Sequence, residues 1–379
     1  MRIKYVANVR IPTPRAQGYA IMKMCSEFSK AGCEVELLVP NRKNTESIEK
    51  NPFDFYGIEG NFRIKKVPSP DFLGRTMKFG KIFYWLDAIL FFFGVRFFIK
   101  LKKDDVLYTR DFLTLLFFSR RRKIFLEVHD IPSSRFLFHK LIKKPKGFFV
   151  LNENIKKILV EMGVSENKIL ISPSGVEISD FNIKIDRNEA RKKINLPADR
   201  NIIMYTGHLY SWKGVEVLAE TARLMPEKLF VFVGGVEPEI SLFKAKYDAF
   251  KNIIIKPFVE RKQIPFYLKS ADVLVLPNLA NEKISSDYTS PLKMFEYMAS
   301  KRPIIASDLP SVRQILTDES AFFVSPNNPD LLAGVIKKIF SDSSASDRKV
   351  ASAWNDVQRY TWKARTELIV DFIKNENTL

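Results

Sequence analysis

The sequence contains few of the residues from which proteins build disulfide frameworks and metal centres. Its 379 residues include two cysteines, Cys25 and Cys33, and three histidines. Cysteines in this number and at this spacing fit neither a disulfide-stapled fold nor a zinc motif. The composition therefore indicates a protein of a reducing compartment, and we expect no metal ion and no cofactor.

Long uncharged apolar runs are also missing. No run of 18 uncharged residues occurs, so a transmembrane helix is not expected. Met1 leads directly into a strand-like run at 3–6, without the apolar core and cleavage site of a signal peptide. We therefore expect a cytoplasmic protein.

Two nucleotide-binding signatures are absent from the chain. It has neither a G-x-G-x-x-G fingerprint nor a G-x-x-x-x-G-K-[ST] loop. These absences exclude the usual dinucleotide-binding turn and the P-loop. Any nucleotide must be held by other means.

Acidic residues are scarce in the first part of the chain. Through residue 170 there are 32 Lys and Arg against 17 Asp and Glu, whereas the remainder has 29 against 26. Most of the formal charge of +18 therefore lies in the first part. A basic face favours a membrane surface, a phosphorylated acceptor or nucleic acid as partner; a generally lysine-rich composition is the alternative.

Residues 78–103 are both aromatic and basic, but Asp87 and Arg96 interrupt their apolar run. One interpretation is a buried helix, and the other is a helix lying on an anionic membrane surface. In the second case the headgroups would be contacted by Lys78, Lys81, Arg96, Lys100, Lys102 and Lys103. Basic residues at 120–123 and 140–146 add to the same part of the chain. We expect peripheral binding to anionic lipid at the inner face of the plasma membrane.

Short apolar runs alternate with helical patterns, which predicts doubly wound parallel sheets. In the first part the predicted strands are 3–8, 34–39, 62–67, 106–109, 124–128 and 147–151. In the second part they are 202–206, 230–233, 253–258, 271–277 and 304–306. Length and pattern together predict an α/β protein of two domains.

Ligands of such sheets bind beyond the carboxyl ends of the strands. In the first part, Gly18 starts a helix after the first strand and allows close approach of a phosphate, and His129 ends another strand. In the second part, Gly207 to Gly214 form a loop with Lys213 before a helix, a layout suited to phosphate.

The string from Ser290 to Pro310, SPLKMFEYMASKRPIIASDLP, predicts a helix followed by a buried strand. Ser290 is predicted as its N-cap and Pro291 as a residue of its first turn. Glu296 lies one and a half turns further on, where a carboxylate can accept hydrogen bonds from hydroxyl groups. An anion at the helix start and a diol at Glu296 together suggest a nucleotide.

This string resembles the signature of the retaining glycosyltransferases of family 4, and the resemblance extends from the loop at 10–15 to residues 359–365 of a last helix, which we predict over 354–374. Glu296 matches the glutamate that binds the ribose hydroxyls of the donor. Tyr288 stands where the family has a second glutamate that contacts the sugar, which is a departure. The string from Tyr288 to Lys293 resembles a subgroup associated with surface-polysaccharide assembly.

The resemblance also implies roles for other residues. Lys213 matches a lysine that neutralises the donor pyrophosphate, while His208 stands where an arginine is usual. Arg261 and Lys293 are additional candidates for that charge. His129 matches a histidine that approaches the transferred sugar, where it orients the sugar and stabilises charge. The remaining donor-binding positions implied are Gly18, Gly207, Phe258, Val259, Ser290, Pro291 and Leu292, with the base cradled by backbone groups at 257–261.

The family implies the GT-B fold, in which two facing Rossmann-like domains enclose an active-site cleft and a C-terminal helix crosses back to the first domain. We expect an acceptor-binding domain at 1–170 with the helix at 357–379, and a nucleotide-sugar-binding domain at 171–356. The chain has no Asp-x-Asp motif, so we expect a metal-independent reaction with a UDP- or GDP-sugar. The acceptor would be a saccharide or lipid-linked, and the protein a monomer or weak homodimer.

Two other functions fit part of these features. A nucleotide-sugar epimerase would share the architecture and the ribose contact but would need no acceptor. A nucleic-acid-binding protein would explain the charge, but the sequence has no recognition motif for nucleic acid, so we expect no such partner.

Overall fold

The structure is a computed structural model that describes residues 1–42, 50–72, 80–120, 122–132 and 134–376, without the side chains at 80–82 and 84. The chain divides into two compact units. Unit 1 comprises Met1–Ser172 and Trp362–Leu379, and unit 2 comprises Pro173–Thr361.

Each unit is built on one parallel sheet. The strands of unit 1 are β1 (Arg2–Val6), β2 (Glu34–Pro40), β3 (Arg63–Val67), β4 (Val106–Thr109), β5 (Lys123–Val128), β6 (Gly147–Val150) and β7 (Ile169–Ile171), in the order β3-β2-β1-β4-β5-β6-β7. Those of unit 2 are β8 (Ile202–Thr206), β9 (Leu229–Val233), β10 (Ile253–Lys256), β11 (Val273–Leu276), β12 (Ile304–Ser307) and β13 (Phe322–Val324), in the order β10-β9-β8-β11-β12-β13. The predicted fold of two Rossmann-like parallel sheets is confirmed.

Helices connect the strands of each sheet. The helices of the first part are α1 (Ala16–Lys30), α2 (Pro52–Tyr56), α3 (Gly80–Phe98), α4 (Thr114–Phe117), α5 (Arg135–Leu141) and α6 (Glu153–Glu161). Those that follow are α7 (Ile178–Phe181), α8 (Arg187–Lys193), α9 (Val215–Leu224), α10 (Glu239–Tyr247), α11 (Ile264–Ser270), α12 (Leu292–Ala299), α13 (Pro310–Arg313), α14 (Pro329–Ser341), α15 (Ser343–Val357) and α16 (Trp362–Asn375).

The sheets are buried on both faces, as the apolar strands predict. In unit 2 one cluster covers each face of the sheet: Met204 and Leu276 point into one, and Tyr205 and Val275 into the other. All eleven predicted strands are present with small differences at their ends. β7 and β13 were not predicted, because three residues are too few to show a pattern.

The C-terminal segment differs from the sequence prediction of one helix over 354–374. The chain leaves the helical path between α15 and α16, where Tyr360 accepts a backbone hydrogen bond from Val176 and Thr361 bridges to the same residue. α16 then packs on α1 within unit 1, so the predicted return of the C-terminal helix to the first domain is confirmed.

The helix that covers residues 80–98 is the one closest in composition to a membrane span. In the described ranges, no helix is both long enough and apolar enough to cross a bilayer. Lys78 and Arg121, which the sequence assigned to a basic surface, lie outside the described residues, as does the side chain of Lys81.

Candidate functional site

A buried carboxylate lies on α12, at the carboxyl end of the unit 2 sheet. Glu296 is 5% exposed, and its Oε1 accepts a hydrogen bond from Nη1 of Arg261 at 2.5 Å. Among the described residues no group donates to Oε2. The guanidinium of Arg261 also lies over the ring of Phe181 at 5.7 Å. Glu296 is therefore held through one oxygen, and the other can accept hydrogen bonds from a ligand.

The start of α12 is fixed differently from the prediction. The Oγ of Ser290 accepts a hydrogen bond from the backbone N–H of Ser174 at 3.1 Å, and the hydroxyl of Ser174 donates to the carbonyl of Ser290 at 2.7 Å. Pro291 takes the N-cap position, with an extended backbone, and Leu292 is the first helical residue. The prediction of Ser290 as N-cap is wrong because its side chain is committed to Ser174.

The loop between β8 and α9 is held close to the sheet by its two glycines. Gly207 has a φ of +126° and Gly214 a φ of +72°. Positive φ angles of this size are readily adopted only by glycine, because it has no Cβ. A Cβ at position 214 would lie 1.8 Å from the carbonyl oxygen of Pro277. Glycine at both ends therefore allows the loop to pass directly over the neighbouring strand ends.

Lys213 lies on this loop in a half-buried position. Its Nζ is 5.3 Å from the ring centroid of Tyr210 and 5.2 Å from that of Trp212. Burial lowers the pKa of Lys213 to about 8, although the nearby carboxylate of Glu239 opposes the shift. Among the described residues Lys213 makes no ion pair. Its charge is thus available to an anion.

His208 is engaged with the protein itself. Its Nδ1 lies 3.2 Å from each carboxylate oxygen of Glu239, and its ring stacks on Tyr210 with centroids 5.1 Å apart. Glu239 also accepts a hydrogen bond from the backbone N–H of Leu209 at 3.0 Å. His208 therefore fixes the loop that carries Lys213.

A second lysine is placed beside the loop by α12. Lys293 is 8% exposed, and its Nζ would lie 3.8 Å from a Cβ at position 207. It is also close enough to Lys213 for the two charges to interact. The structure therefore brings Gly207, Lys213 and Lys293 together, with Glu296 one turn further along α12.

The segment after β10 contributes a partly exposed aromatic ring. The backbone N–H of Phe258 donates to the carbonyl of Gly235 at 3.2 Å, and the side chain is 39% exposed. Val259 packs against the unit 2 core. The two residues thus lie at the carboxyl end of β10.

In unit 1, His129 belongs to a buried polar network at the end of β5. Its Nε2 lies 2.6 Å from Oε1 of Glu127, and its Nδ1 lies 2.8 Å from Nη2 of Arg110. Because Arg110 can only donate, Nδ1 accepts and the proton is on Nε2. Arg365 donates to Oε1 of Glu127 at 2.9 Å, and Tyr108 donates to Oε2 at 2.5 Å.

The charges of this network fix its protonation. Burial, followed by the charge of Arg110, lowers the pKa of His129 to about 4, so the ring is neutral near pH 7. Burial alone would raise the pKa of Glu127, but the charges of Arg365 and Arg110 and the hydrogen bond from His129 outweigh it and hold that pKa well below its usual range. Both ring nitrogens of His129 already have partners within the protein.

Gly18 is required by packing within unit 1. A Cβ at this position would lie 2.2 Å from the hydroxyl oxygen of Tyr56 and 2.6 Å from a methyl carbon of Thr13. The Tyr56 hydroxyl in turn bridges the backbone N–H and carbonyl of Thr13. These contacts give Gly18 a structural role that does not depend on a phosphate.

Residues 186–354 match the family described as "Glycosyl transferases group 1". The matched group 1 segment contains the loop with Lys213 and all of α12, and it lies entirely within unit 2.

The curated relatives match part of their own length. The D-inositol 3-phosphate glycosyltransferase of Xylanimonas cellulosilytica is 23% identical over 55% of this chain and 52% of the relative. An Escherichia coli enzyme named UDP-Gal:alpha-D-GlcNAc-diphosphoundecaprenol alpha-1,3-galactosyltransferase is 26% identical over 59% of this chain and 60% of the relative. The matches thus span little more than half of these relatives.

Solved structures share the fold across the whole chain. The sucrose-phosphate synthase of Thermosynechococcus elongatus superposes with a TM-score of 0.77 at 17% identity, covering 100% of this chain and 99% of the other. At this identity the likeness concerns the fold, and it agrees with the predicted GT-B architecture.

Sequence reasoning did not identify every residue of the two sites. It named Lys213, Glu296 and His129, and it mentioned Arg261 and Lys293 without a definite place. It missed Arg365, which belongs to the His129 network from 238 positions beyond Glu127. Among the described residues no group of His, Cys, Asp or Glu is arranged to hold a metal ion.

Proposed function

We propose that the protein is a metal-independent, retaining glycosyltransferase. It moves a sugar from a UDP- or GDP-sugar to a saccharide or lipid-linked acceptor in surface-polysaccharide or glycolipid assembly. The observation that carries the proposal is the cluster of Lys213, Lys293 and Glu296 at the carboxyl end of the unit 2 sheet, inside the group 1 segment.

Each member of this cluster has a role in the proposed reaction. Negative charge grows on the nucleoside diphosphate as the glycosidic bond breaks. Lys213, Lys293 once it carries a proton, and the N-terminus of α12 offer positive charge at that point, which stabilises the transition state more than the ground state. Oε2 of Glu296 accepts hydrogen bonds from the ribose hydroxyls.

His129 takes part in the proposed reaction as a neutral ring. With a pKa of about 4 it is a poor base near pH 7. We propose that it orients the sugar and stabilises charge, with Arg110 and Glu127 as positioning residues that hold the ring. The donor pyrophosphate is neutralised by lysines, and no metal ion takes part.

The names of the relatives support an acidic acceptor. The Xylanimonas relative is named for an inositol phosphate, and the Escherichia coli relative for a diphosphate-linked lipid. The surplus of 32 basic over 17 acidic residues through position 170 fits an acceptor of this charge.

Calorimetric titration of UDP, GDP and ADP tests the donor site. The wild type should bind one nucleotide best, and Glu296→Ala should lose about tenfold or more in affinity, because a hydrogen-bonded carboxylate contributes about 1.5–3 kcal/mol. Glu216→Ala, at an exposed carboxylate of α9 in the same unit, is the control and should bind as the wild type does. If none of the three nucleotides binds the wild type, or if Glu296→Ala binds as tightly, the proposal is wrong.

We also propose that unit 1 binds anionic membrane surfaces through one face of α3. Ala88, Phe91, Phe92 and Val95 are buried on the inner face. On the outer face the exposed apolar residues recur at helical spacing: Leu86 (38%), Ile89 (38%), Phe93 (46%) and Phe97 (63%), with Phe98 (63%) beside them. An exposed aromatic face of this kind is typical of an interaction surface.

Basic residues near the exposed apolar face of α3 indicate which partner binds there. Arg96, Lys100, Lys102 and Lys103 are exposed at and just beyond the end of α3. Asp87, which interrupts the apolar run in the sequence, is buried and accepts a hydrogen bond from the backbone N–H of Phe72 at 3.0 Å. Apolar rings flanked by lysine and arginine fit the headgroup region of an anionic bilayer.

Vesicle flotation tests this surface. The wild type should float with vesicles of phosphatidylcholine mixed with phosphatidylglycerol and much less with phosphatidylcholine alone. Replacing both Phe97→Ser and Phe98→Ser should weaken binding by more than about tenfold. Leu242→Ser, at a 69% exposed leucine of unit 2, is the control and should bind as the wild type does.

Equal flotation with both kinds of vesicle would contradict the proposal. Absence of flotation, together with a dimer that the double variant disrupts, would assign the face to a second copy of the chain.

A further inference from the structure

Lys293 is a buried ammonium group without an anionic partner. Its residue is 8% exposed, and among the described residues its Nζ makes no hydrogen bond. The nearest favourable contact is the face of the Tyr205 ring, 3.7 Å from Nζ to the centroid. A buried charge that lacks a counterion is strongly disfavoured, so the position demands an explanation.

The groups that face Lys293 leave this charge uncompensated. Lys213 approaches from the loop after β8 and repels it, while Tyr205 approaches from β8 with an uncharged ring. Glu296, one turn along α12, attracts it from a distance but forms its ion pair with Arg261. Glu239 is bound to His208 and Leu209.

This environment favours the uncharged amine in the free protein. Burial, followed by the positive charge of Lys213, lowers the pKa of Lys293 well below its usual range, and Glu296 opposes the shift only in part. An anion that entered beside Lys213 would reverse this balance, because it would supply the missing counterion to both lysines.

We propose that Lys293 and Lys213 form a proton-coupled clamp for the donor diphosphate, in which Lys293 takes one proton from solvent when the diphosphate binds. The clamp rests on the proposed function and specifies how its donor site works. One N–H bond forms at Nζ, the buffer loses that proton, and no other bond changes. Lys293 thereby becomes the second cationic contact of the diphosphate.

The clamp makes donor affinity depend on pH. The pKa of Lys293 is higher in the complex than in the free protein. Between these two values the affinity should fall by about tenfold for each pH unit as the pH rises, because one proton binds with the ligand. Below the lower value the affinity should no longer depend on this group.

Calorimetry in two buffers measures the proton directly. UDP, GDP or ADP, whichever binds, is titrated at about pH 7 in PIPES and in imidazole, whose ionisation enthalpies differ widely. At this pH Lys213, with a pKa of about 8, is already mostly charged. Repeating the titrations in a Lys213→Arg background removes any proton uptake by Lys213. Protons that the nucleotide itself gains or loses contribute equally for all the proteins compared.

The wild type should take up protons on binding, to a limit of one for each nucleotide bound. Lys293→Arg should bind the nucleotide without proton uptake, because a guanidinium is always charged. Lys293→Met keeps the length of the side chain without the charge, and it should lose about tenfold or more in affinity together with the uptake.

Three results would overturn the clamp. Equal heats in the two buffers for the wild type would show that no proton is taken up, and this test needs no variant to fold. Unchanged affinity of Lys293→Met would remove the residue from the anion site. Failure of all three nucleotides to bind the wild type would overturn the proposed function and the clamp with it, whereas binding with equal heats overturns only the clamp.

Discussion

At the scale of single residues, the ionisable group at the centre of each site differs in how many partners surround it. In unit 1 the carboxylate of Glu127 is surrounded by partners: it accepts hydrogen bonds from Tyr108 and Arg365 and from Nε2 of His129. In unit 2 the amino group of Lys293 has no such partner within the part of the chain that the structure describes. A fully satisfied network is rigid, whereas an unsatisfied cation favours a ligand.

The His129 network predicts a loss of stability in acid. The pKa of His129 is lowered from 6.5 in the unfolded chain to about 4 in the folded protein. Between these values the unfolded chain binds more protons than the folded one. Stability should therefore be constant above about pH 6.5 and fall by up to about 3 kcal/mol as the pH decreases towards 4.

Urea unfolding at several pH values measures this contribution. The comparison is between wild type and His129→Gln, which keeps hydrogen-bonding capacity but does not titrate. The difference in unfolding free energy between the two proteins should change over this pH range and be constant above it. His139→Gln, at an exposed histidine, is the control. A difference that does not vary with pH would refute the assignment of a lowered pKa to His129.

The positions of residues were predictable where a local pattern determined them. Glu296 was placed by the helical string around it, and Lys213 by a loop bounded by glycines, while the roles of both residues stay predictions. The burial of Lys293 was not predictable, because it depends on Tyr205 and Lys213, which approach from a different part of the chain. Arg365 was missed because nothing near it in the sequence points to Glu127.

At the scale of elements, the strands were predicted well because a strand buried in a parallel sheet requires a run of apolar residues. Residues of a parallel sheet covered on both faces are nearly all apolar, as in β8, β9 and β11, whose residues are all buried. Such runs are visible in any sequence. Helix ends were less predictable, since they depend on contacts made by the backbone.

The two misplaced helix ends illustrate this point. The predicted helix over 354–374 is interrupted because Tyr360 and Thr361 use their backbone to pair with Val176. The predicted cap Ser290 bonds Ser174 instead. Both partners lie more than a hundred residues away in sequence, so the local pattern contained no sign of either contact.

At the scale of the whole molecule, the last helix of the chain belongs to unit 1, which also contains the N-terminus. The side chains that α16 buries in unit 1 are those of Trp362, Arg365, Thr366, Ile369, Val370 and Ile373. The Trp362 ring packs against Tyr19 at 6.2 Å, and Phe372 against Phe149 at 5.6 Å. The stability of unit 1 should therefore depend on residues more than 180 positions beyond its last strand, Ile169–Ile171.

Deleting α16 tests this dependence. A stop codon after Thr361 removes Arg365, which forms a buried ion pair with Glu127, and breaking such a pair costs about 3–5 kcal/mol. Each large apolar side chain lost from the core costs about 1.5–3 kcal/mol more. Because a domain is stable by only about 5–15 kcal/mol, unit 1 should unfold. Unit 2 has its own core on both faces of its sheet and should remain folded.

Hydrogen exchange followed by mass spectrometry separates the two units in one experiment. Backbone amides of β1, β4 and β5 should lose protection in the truncated chain, while those of β8, β9 and β11 keep it. A stop codon after Asn375 leaves α16 whole and provides the control. Retained protection in unit 1 would show that α16 is dispensable, and loss in both units would show that they do not fold independently. Loss in unit 1 is expected because Arg365 and the buried apolar residues of α16 contribute to that core.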